Sequence, residues 1–367
     1  MGKPRFKNGA SSLSQPVAKV RTCVFAPPNS NQIKGSDMQN RQLRQDGKTV
    51  SAIGLGCWSF AGSYGATSES EAHETLAAAR DLGVDFLDTA NVYGMGVSES
   101  IIGSYLKTTQ NTFTIATKAG ISRDPQTGAR VFNNTAAYLR GELENSLSRL
   151  GLEQVDLYYI HRRDADVPIE DVMETLLAFK AEGKIGGIGF SEISPASLRR
   201  AAAVGNVDAV QSEYSLWTRQ PEMGMIQTCK ALGVAFVPFS PLGRGMLTAT
   251  PPDPATFEKG HFRTGTPRFS EPNFSHNMTF ISKFQRLAQT LDISPATLAI
   301  AWCLTRGDHL IPIPGTRSAA HLAECVAGCS FEMTREIEDA IDNILPIGWA
   351  HGDRYAPEQW PGVEGYC

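Results

Sequence analysis

The sequence predicts an α/β protein built as a single (β/α)8 TIM barrel, with a β-hairpin ahead of the barrel and a disordered or extended N-terminal leader. Three observations support this fold class. Short apolar runs alternate with helical patterns along most of the 367 residues, the connections are long enough for crossover helices, and eight such units are present. Runs that are apolar throughout are typical of parallel strands buried on both faces, and eight units close naturally into a barrel.

A doubly wound open sheet is the alternative architecture. Such a sheet should carry a glycine fingerprint for a dinucleotide after an early strand. The sequence contains no GxGxxG, no GxxxxGK[ST] phosphate loop and no HExxH metal motif. These absences favour the barrel over the open sheet.

Composition narrows the classes of function. The chain is 41% hydrophobic and 20% charged with a net charge of -4, so it has no basic field for nucleic acid or an anionic membrane. It also lacks a run of 18 apolar residues that could span a bilayer. The seven cysteines form no CxxC pair, which favours reduced thiols used for packing and a cytoplasmic location.

Residues 1–37 differ from the rest of the chain. They contain six basic residues and no acid before Asp37, and they are rich in Ser, Pro and Asn, so they are predicted to be a disordered leader. An organelle-targeting peptide is one interpretation, and an artificial leader or translated upstream sequence ahead of Met38 is equally compatible. Residues 38–367 are predicted to form the barrel and a C-terminal tail.

The elements follow in order from residue 38. Asp46-Gly47 separates two extended pieces and is a favoured hairpin dipeptide, and Ser98 is predicted to cap the second barrel helix. The eight predicted strands are 50–58, 84–90, 112–118, 155–161, 185–191, 207–214, 234–240 and 310–315. The helices are predicted from about 69, from 98, and over 136–150, 169–183, 195–205, 221–233, 279–305 and 318–328.

Four reactive side chains belong to the ends of consecutive strands. Asp88 ends the second strand and Tyr93 lies on the loop after it, while Lys118 ends the third strand and His161 the fourth. Each residue alone has an ordinary structural explanation. In the order just given, these are a helix cap, a side chain that covers the core, a solvated charge, and a hydrogen-bonded histidine at the barrel rim. In a barrel, however, the carboxyl ends of the strands meet at one face, where the active sites of this fold lie. The four together therefore predict a catalytic site.

In these segments the chain resembles the aldo-keto reductases, from about residue 38 to residue 331. The resemblance rests on "DTANVYG", which supplies Asp88 and Tyr93, on "TIATKAG", which supplies Lys118, and on "DLYYIHRRD", which supplies His161. With "FSE" after the fifth strand and "QSEYSLWTR" after the sixth, the chain is most similar to the branch that includes pyridoxal reductases and general stress-associated reductases.

The resemblance implies an NADPH-dependent enzyme that reduces aldehydes or ketones to alcohols. Reduction by hydride builds negative charge on the carbonyl oxygen, and Tyr93 is expected to donate a proton to it. Lys118 is expected to lower the pKa of Tyr93 towards neutrality, Asp88 to hold Lys118, and His161 to orient the substrate. Because no side chain can supply hydride, a nicotinamide cofactor is required.

The later strand ends are expected to bind that cofactor. The resemblance implies that Ser191 and Gln211 bind the carboxamide, that Phe239 stacks on the nicotinamide, and that a glycine-flanked arginine binds pyrophosphate. The segment assigned to the pyrophosphate comprises Ser240, Leu242, Gly243, Arg244 and Gly245. The segment assigned to the adenosine and its 2'-phosphate comprises Gly315, Thr316, Arg317, His321, Glu324 and Cys325.

Two departures from the family pattern fall in the adenosine segment. His321 stands where relatives usually have arginine, and Cys325 replaces an asparagine. NADP(H) is still favoured over NAD(H), because Arg317 and Thr316 fit a 2'-phosphate at a helix start. We therefore expect NADP(H) to bind more weakly than it would in a site that matches the family pattern fully.

The substrate end is less defined by the sequence. A long loop over 248–277 is expected to close over the cofactor, Trp58, Tyr64 and Trp217 are expected either to line the mouth or to pack in the core, and the tail is expected to add a wall. The sequence has no basic cluster of the kind that would indicate a phosphorylated substrate. A small-molecule carbonyl compound is the expected partner, and the oligomeric state is left open.

Two other classes of function remain as alternatives. One is a cofactor-binding regulatory subunit resembling the potassium-channel β-subunits, which would bind NADPH but reduce carbonyls poorly. The other is a barrel hydrolase or lyase that uses Asp88 and His161. That enzyme would need a metal or a nucleophile, and the strand ends offer no convincing set of metal ligands.

Overall fold

The computed structural model describes residues 38–110, 113–124, 126–258 and 261–366. The predicted leader lies outside these residues. The strands are β1 (Asn40–Gln42), β2 (Thr49–Ser51), β3 (Leu55–Gly56), β4 (Phe86–Asp88), β5 (Thr114–Ala119), β6 (Ile121–Arg123), β7 (Arg130–Phe132), β8 (Leu157–Ile160), β9 (Ile188–Ser191), β10 (Ala209–Glu213) and β11 (Ala235–Phe239).

Ten α-helices lie in the described ranges, and most of them follow the barrel strands in the predicted alternation. They are α1 (Glu69–Asp81), α2 (Val97–Thr108), α3 (Ala136–Leu150), α4 (Ile169–Ala181), α5 (Pro195–Val204), α6 (Met225–Leu232), α7 (Asn273–Thr290), α8 (Pro295–Leu304), α9 (Ala319–Ala327) and α10 (Arg335–Ile344). No single helix among the described residues is long and apolar enough to cross a membrane. The pair α7 and α8 meets that test of length and composition only together, and it is bent by 91°.

The barrel consists of seven parallel strands and a closing segment. The strands neighbour one another in the order β11, β10, β9, β8, β5, β4, β3. The predicted eighth strand, 310–315, forms single parallel bridges from Leu310 and Ile313 to β11 and from Gly315 to β3. Pro312 and Pro314 lack N–H groups, but their carbonyls accept bonds from Gly54 and Gly56 at 2.9 and 3.0 Å. The predicted barrel is confirmed.

The hairpin β1–β2 packs against one end of the barrel interior. It pairs antiparallel around the predicted Asp46-Gly47 turn, where Gly47 has a φ of 92°. Leu43 and Val50 pack in one buried cluster with interior strand residues such as Phe86 and Leu157. The hairpin thus covers residues of the barrel interior away from the carboxyl ends of the strands.

Two local predictions are wrong. Ser98 does not cap α2, because the helix already begins at Val97 and the buried Ser98 hydroxyl donates to the Cys57 carbonyl at 2.9 Å. Helix α7 begins at Asn273 rather than 279, so the preceding loop is shorter than predicted. The structure also contains an antiparallel hairpin, β6–β7, between β5 and α3, which was not predicted from the sequence.

The described cysteines are free thiols, in agreement with the packing role predicted from the sequence. Cys57, Cys229, Cys303 and Cys325 are buried and Cys329 is partly buried. All five pack in or against the large core between the barrel strands and the surrounding helices.

Candidate active site

A buried ion pair lies at the carboxyl ends of two neighbouring strands. Asp88 ends β4 and Lys118 lies near the end of β5, and the Lys118 ammonium bonds the Asp88 carboxylate and the Thr89 carbonyl, the latter at 2.7 Å. The second carboxylate oxygen of Asp88 accepts a bond from Gln211 Nε2 at 2.8 Å. The Lys118 side chain is 0% exposed, so its charge is held in a fixed place.

Tyr93 and His161 lie next to this ion pair. The Tyr93 ring centroid is 5.2 Å from Lys118 Nζ and 5.7 Å from the His161 ring, which it meets edge to face. Tyr93 is placed by a turn in which Gly94, Met95 and Gly96 all have positive φ. A Cβ on Gly94 would lie 2.9 Å from the Val97 Cβ, so this turn needs glycine.

Burial sets the protonation of both residues. Burial, helped by the charges of Lys118 and Arg162, lowers the pKa of His161 well below its ordinary value, so the imidazole is neutral at neutral pH. Burial, followed by the Asp88 carboxylate, raises the pKa of Tyr93 well above that of an ordinary phenol. The net shift is therefore opposite to the lowering expected from the sequence, because burial and the Asp88 charge outweigh the attraction of the Lys118 ammonium, whose Nζ lies 5.2 Å from the ring centroid.

One cavity of about 650 Å³ opens at this end of the barrel. It is lined by nine residues expected from the sequence, Asp88, Tyr93, His161, Ser191, Gln211, Phe239, Ser240, Arg244 and Gly315. The fully buried Lys118 stands behind Asp88 rather than on the cavity wall. The four-residue constellation predicted from three strand ends is therefore gathered around a single pocket.

The segment after β11 turns tightly at the cavity. Ser240, Gly243, Arg244 and Gly245 have φ values of 50°, 57°, 55° and 97°, all in the left-handed region. A Cβ on Gly243 would lie 3.0 Å from the Trp217 ring, so the chain passes close to that side chain. Arg244 is buried and its guanidinium bonds Glu213 at 2.7 Å.

The expected adenosine segment lies beyond the cavity wall, at the start of α9. Arg317 donates from Nη1 to the backbone carbonyls of Tyr64 and Gly65 at 2.8 and 3.1 Å. His321 is exposed in the first turn of the helix, whereas Cys325 is 1% exposed and packs in the core. The partly buried Glu324 accepts a hydrogen bond from Thr297 through its backbone carbonyl. In the other expected segment, the one assigned to the pyrophosphate, Leu242 packs against the core. The structure therefore does not bring Cys325 to a surface that a ligand can reach.

The long loop between β11 and α7 forms a belt across the cavity mouth. Its Phe262 ring lies 4.7 Å from the Trp58 ring and 4.8 Å from the Tyr64 ring, between ring centroids. Arg263 donates to the Arg244 carbonyl at 2.6 Å and fixes the belt to the segment after β11. Trp58 and Tyr64 line the cavity, whereas Trp217 is 3% exposed and packs in the core.

The C-terminal tail adds another wall, as the sequence suggested. Tyr355 and Gln359 line the cavity. The tail is held by Arg354, whose guanidinium bonds Glu192 at 3.0 Å and Glu213 at 3.2 Å. These carboxylates belong to the ends of β9 and β10, and each is at most 3% exposed. The pairing could not be predicted, because Arg354 is 162 residues distant from Glu192 in sequence.

Four arginines on the cavity wall were not expected from the sequence, in which no basic cluster was found, and one of them, Arg149, lies on α3. Arg123 and Arg130 lie on the hairpin β6–β7, and Arg162 directly follows His161. The signal for Arg162 was its place beside a predicted catalytic residue. Arg123 and Arg130 could be found only by recognising the hairpin.

Comparisons with known proteins agree with this geometry. The model of the aldo/keto reductase family matches residues 52–346. The NADP(+) aldo-keto reductase yakc of Schizosaccharomyces pombe is 39% identical, over 84% of this chain and 92% of its own length. A probable aldo-keto reductase 1 from Glycine max is 35% identical, over 87% of this chain and 92% of its own.

Two solved structures are similar over nearly their whole length. The glycerol dehydrogenase AKR11B4 from Gluconobacter oxydans superposes with a TM-score of 0.77 at 28% identity, covering 87% of this chain and 98% of its own. A holo form of the aldo-keto reductase AKR11C1 from Bacillus halodurans gives a TM-score of 0.70 at 25% identity, covering 88% of this chain and 99% of its own. The chain belongs to the aldo/keto reductase family.

Proposed function

We propose that the protein is an NADPH-dependent oxidoreductase that reduces aldehydes or ketones to alcohols, with Tyr93 as the proton donor. The observation that carries this proposal is the meeting of Asp88, Tyr93, Lys118 and His161 at one cavity at the carboxyl end of the barrel. The S. pombe relative is named as an NADP(+) enzyme, which supports the choice of cofactor.

The residues around the cavity fit a nicotinamide cofactor. Gln211 donates to Asp88 through Nε2, which leaves its carbonyl oxygen for a carboxamide N–H, and Ser191 offers a hydroxyl on the same wall. Phe239 lines the cavity with a flat apolar ring suited to stacking. The left-handed turn around Gly243 and Gly245 allows a pyrophosphate to approach the backbone closely. When bound there, a reduced nicotinamide supplies the hydride.

The chain's own residues handle the proton. Tyr93 keeps its proton at neutral pH because burial raises its pKa, and it can pass that proton to the carbonyl oxygen as negative charge develops. An alkoxide is more basic than a phenolate, so this transfer remains favourable despite the raised pKa. The neutral His161 can donate an N–H to the same oxygen and orient it. Lys118, held by Asp88, stabilises the phenolate left on Tyr93.

These pKa directions predict a flat pH profile. Between about pH 6 and 9, kcat for a neutral aldehyde such as 4-nitrobenzaldehyde should stay constant, because Tyr93 remains protonated and His161 remains neutral. On the alkaline side the rate should fall only as the phenol ionises, and on the acid side only as His161 takes a proton. The measurement is kcat at saturating NADPH across the range. A loss of rate with a midpoint near neutral pH would contradict a raised pKa for Tyr93 and a lowered pKa for His161.

The proposal is tested by NADPH oxidation against a panel of aldehydes, ketones, quinones and pyridoxal. We expect turnover with at least one class, and kcat/KM for NADPH about 10-fold or more above that for NADH. The preference is expected because Arg317 is already oriented by the carbonyls of Tyr64 and Gly65 and can make charge-assisted bonds to a 2'-phosphate. In Arg317→Met, kcat/KM for NADPH should fall towards that for NADH, whereas kcat/KM for NADH should change little.

Two results would count against the proposal. Equal use of NADH and NADPH would remove the role assigned to Arg317 and the preference for NADP(H). Tight NADPH binding without turnover of any carbonyl compound in the panel would instead support a regulatory subunit resembling the potassium-channel β-subunits.

A further inference from the structure

Arg162 is a buried cation without a paired carboxylate among the described residues. It is 8% exposed and lines the cavity beside His161. Its guanidinium donates only to neutral groups, namely the His161 carbonyl at 2.8 Å, the Ser191 hydroxyl at 3.0 Å and the Tyr355 hydroxyl at 3.2 Å. Its Nε–H is buried and has no partner in the described part of the chain. A buried guanidinium with a free donor is costly unless a ligand completes it.

Two further arginines line the same cavity from the hairpin β6–β7. Arg123 donates to the Gly128 carbonyl at 3.0 Å, and Arg130 lies over the Phe132 ring at 5.0 Å. Within the described ranges neither forms an ion pair within 4.0 Å. Both side chains are exposed to solvent, and beyond the partial desolvation at the cavity wall the charge of Arg162 lies close enough to contribute to a lowered pKa of Arg130.

Four other cations around the site are matched by acids, whereas the buried Arg263 of the belt has no ion pair within the described ranges and lies against the Tyr64 and Phe262 rings. Lys118 pairs with Asp88, Arg149 with Glu99, Arg244 with Glu213 and Arg354 with Glu192. The remaining acids do not compensate Arg162. Glu142 on the cavity wall accepts a bond from Asn91, and Glu192, which lies within electrostatic reach of Arg162, is bonded by Arg354 and the Glu213 N–H. The cavity therefore has an excess of positive charge.

We infer that the carbonyl substrate carries an oxyanion, a carboxylate or a phosphate, and that Arg162 binds this group while the carbonyl lies at Tyr93 and His161. The inference rests on the proposed function and narrows its substrate class. A guanidinium is suited to either oxyanion because its planar donors match two oxygens at once. Arg123 and Arg130 attract the anion to the cavity from its open side.

The rest of the cavity suits a small body between the two polar ends. Trp58, Val92, Met95 and Ile121 supply apolar surface on its walls. The volume of about 650 Å³ is in the range of small-molecule sites. An aromatic or short aliphatic aldehyde with an acidic group at its far end matches these features.

The test compares aldehydes that differ only in the anion. We expect kcat/KM for 4-formylbenzoate to exceed that for its methyl ester by about 10-fold or more in the wild type. In Arg162→Met the value for the acid should fall about 10- to 100-fold, while the value for the ester changes less than about 3-fold. A phosphate arm compares 4-formylphenyl phosphate with the uncharged 4-methoxybenzaldehyde in the same way. The preferred arm identifies the oxyanion.

Controls separate this role from structure and from cofactor binding. Arg335→Met removes the same charge from an exposed position, where Arg335 pairs with Asp339 on α10, and should change neither substrate. Arg162→Lys keeps the charge, so kcat/KM for 4-formylbenzoate should fall by less than in Arg162→Met, while kcat/KM for the methyl ester should not change. The NADPH dissociation constant of Arg162→Met should match the wild type within about 3-fold. The inference would be overturned if Arg162→Met lowered kcat/KM equally for the acid and the ester. It would also be overturned if the variant lost NADPH affinity to the same extent as it lost kcat/KM for the acid.

A binding measurement keeps the result distinct from failure of the proposed function. Terephthalate, which resembles 4-formylbenzoate but has no aldehyde to reduce, is titrated calorimetrically into the protein with NADP(+). Binding in the wild type that weakens about 10-fold in Arg162→Met supports the anion site even if no aldehyde is reduced. Aldehyde reduction without anion preference in either arm would leave the proposed function intact and refute the anion site.

Discussion

Replacing Tyr93 with phenylalanine should lower kcat for carbonyl reduction by about 10²- to 10⁴-fold, the usual contribution of a positioned general acid. The change removes the only proton that Tyr93 can deliver to the developing alkoxide but keeps the ring, which lies 5.2 Å from Lys118 Nζ and 5.7 Å from the His161 ring. The NADPH dissociation constant should stay within about 2-fold of the wild type, because only the hydroxyl is lost. Steady-state kinetics and NADPH fluorescence titration measure the two quantities.

Tyr138→Phe provides a matched control for the loss of a hydroxyl. Tyr138 lines the same cavity, but its hydroxyl donates to the Ile121 carbonyl at 2.8 Å and has no part in the proposed reaction. Its kcat should stay within about 3-fold of the wild type. If Tyr93→Phe were as active as Tyr138→Phe, Tyr93 would not be the proton donor.

Replacing Lys118 with methionine should abolish most activity and also destabilise the fold. The substitution leaves the Asp88 carboxylate buried without its cation, and breaking a buried pair in this way costs about 3–5 kcal/mol in free energy of unfolding. Burial already raises the pKa of Asp88, so without Lys118 the carboxyl must bind a proton to remain buried. The folded state then holds a proton that the unfolded state releases above about pH 4, and stability falls as the pH rises.

Denaturant unfolding at mildly acidic and mildly alkaline pH measures this effect, and the loss should be larger on the alkaline side. The double variant Asp88→Asn with Lys118→Met provides the control, because it removes both charges and leaves an amide that Gln211 can still bond. It should recover at least about half of the lost stability while remaining inactive. A double variant no more stable than Lys118→Met alone would mean that the ion pair is not the source of the loss.

The sequence predicted the barrel because the alternation of apolar runs and helices is a local signal repeated along the chain. The prediction that failed at Ser98 relied on the same kind of local rule. A serine near a helix start usually caps it, but in this protein Gly96 precedes the helix in a left-handed conformation and the Ser98 hydroxyl bonds the distant Cys57 carbonyl. The contact with Cys57, which is distant in sequence, therefore outweighs the tendency of a serine near a helix start to act as the cap.

The site was predictable where function depends on strand ends and unpredictable where it depends on inserted segments. The proximity of Asp88 and Lys118 was predictable because barrel strands end at one face. Arg130 could not, since it reaches the cavity from a hairpin inserted between a strand and its helix. The pKa of Tyr93 was also predicted in the wrong direction, because burial and the Asp88 charge depend on packing that the sequence does not display.

The anchoring of the tail by Arg354 bears on how the protein matures during synthesis. Glu192 and Glu213 sit side by side on the rim of the barrel, and Arg354 is the residue that bonds both. A nascent chain on the ribosome that has not reached residue 354 lacks this shared counter-ion, so among the described residues Glu192 has no arginine partner while Glu213 can still pair with Arg244. We therefore expect the rim to become stable only after the tail has been synthesised, although all four residues at the reaction centre lie far earlier in the chain.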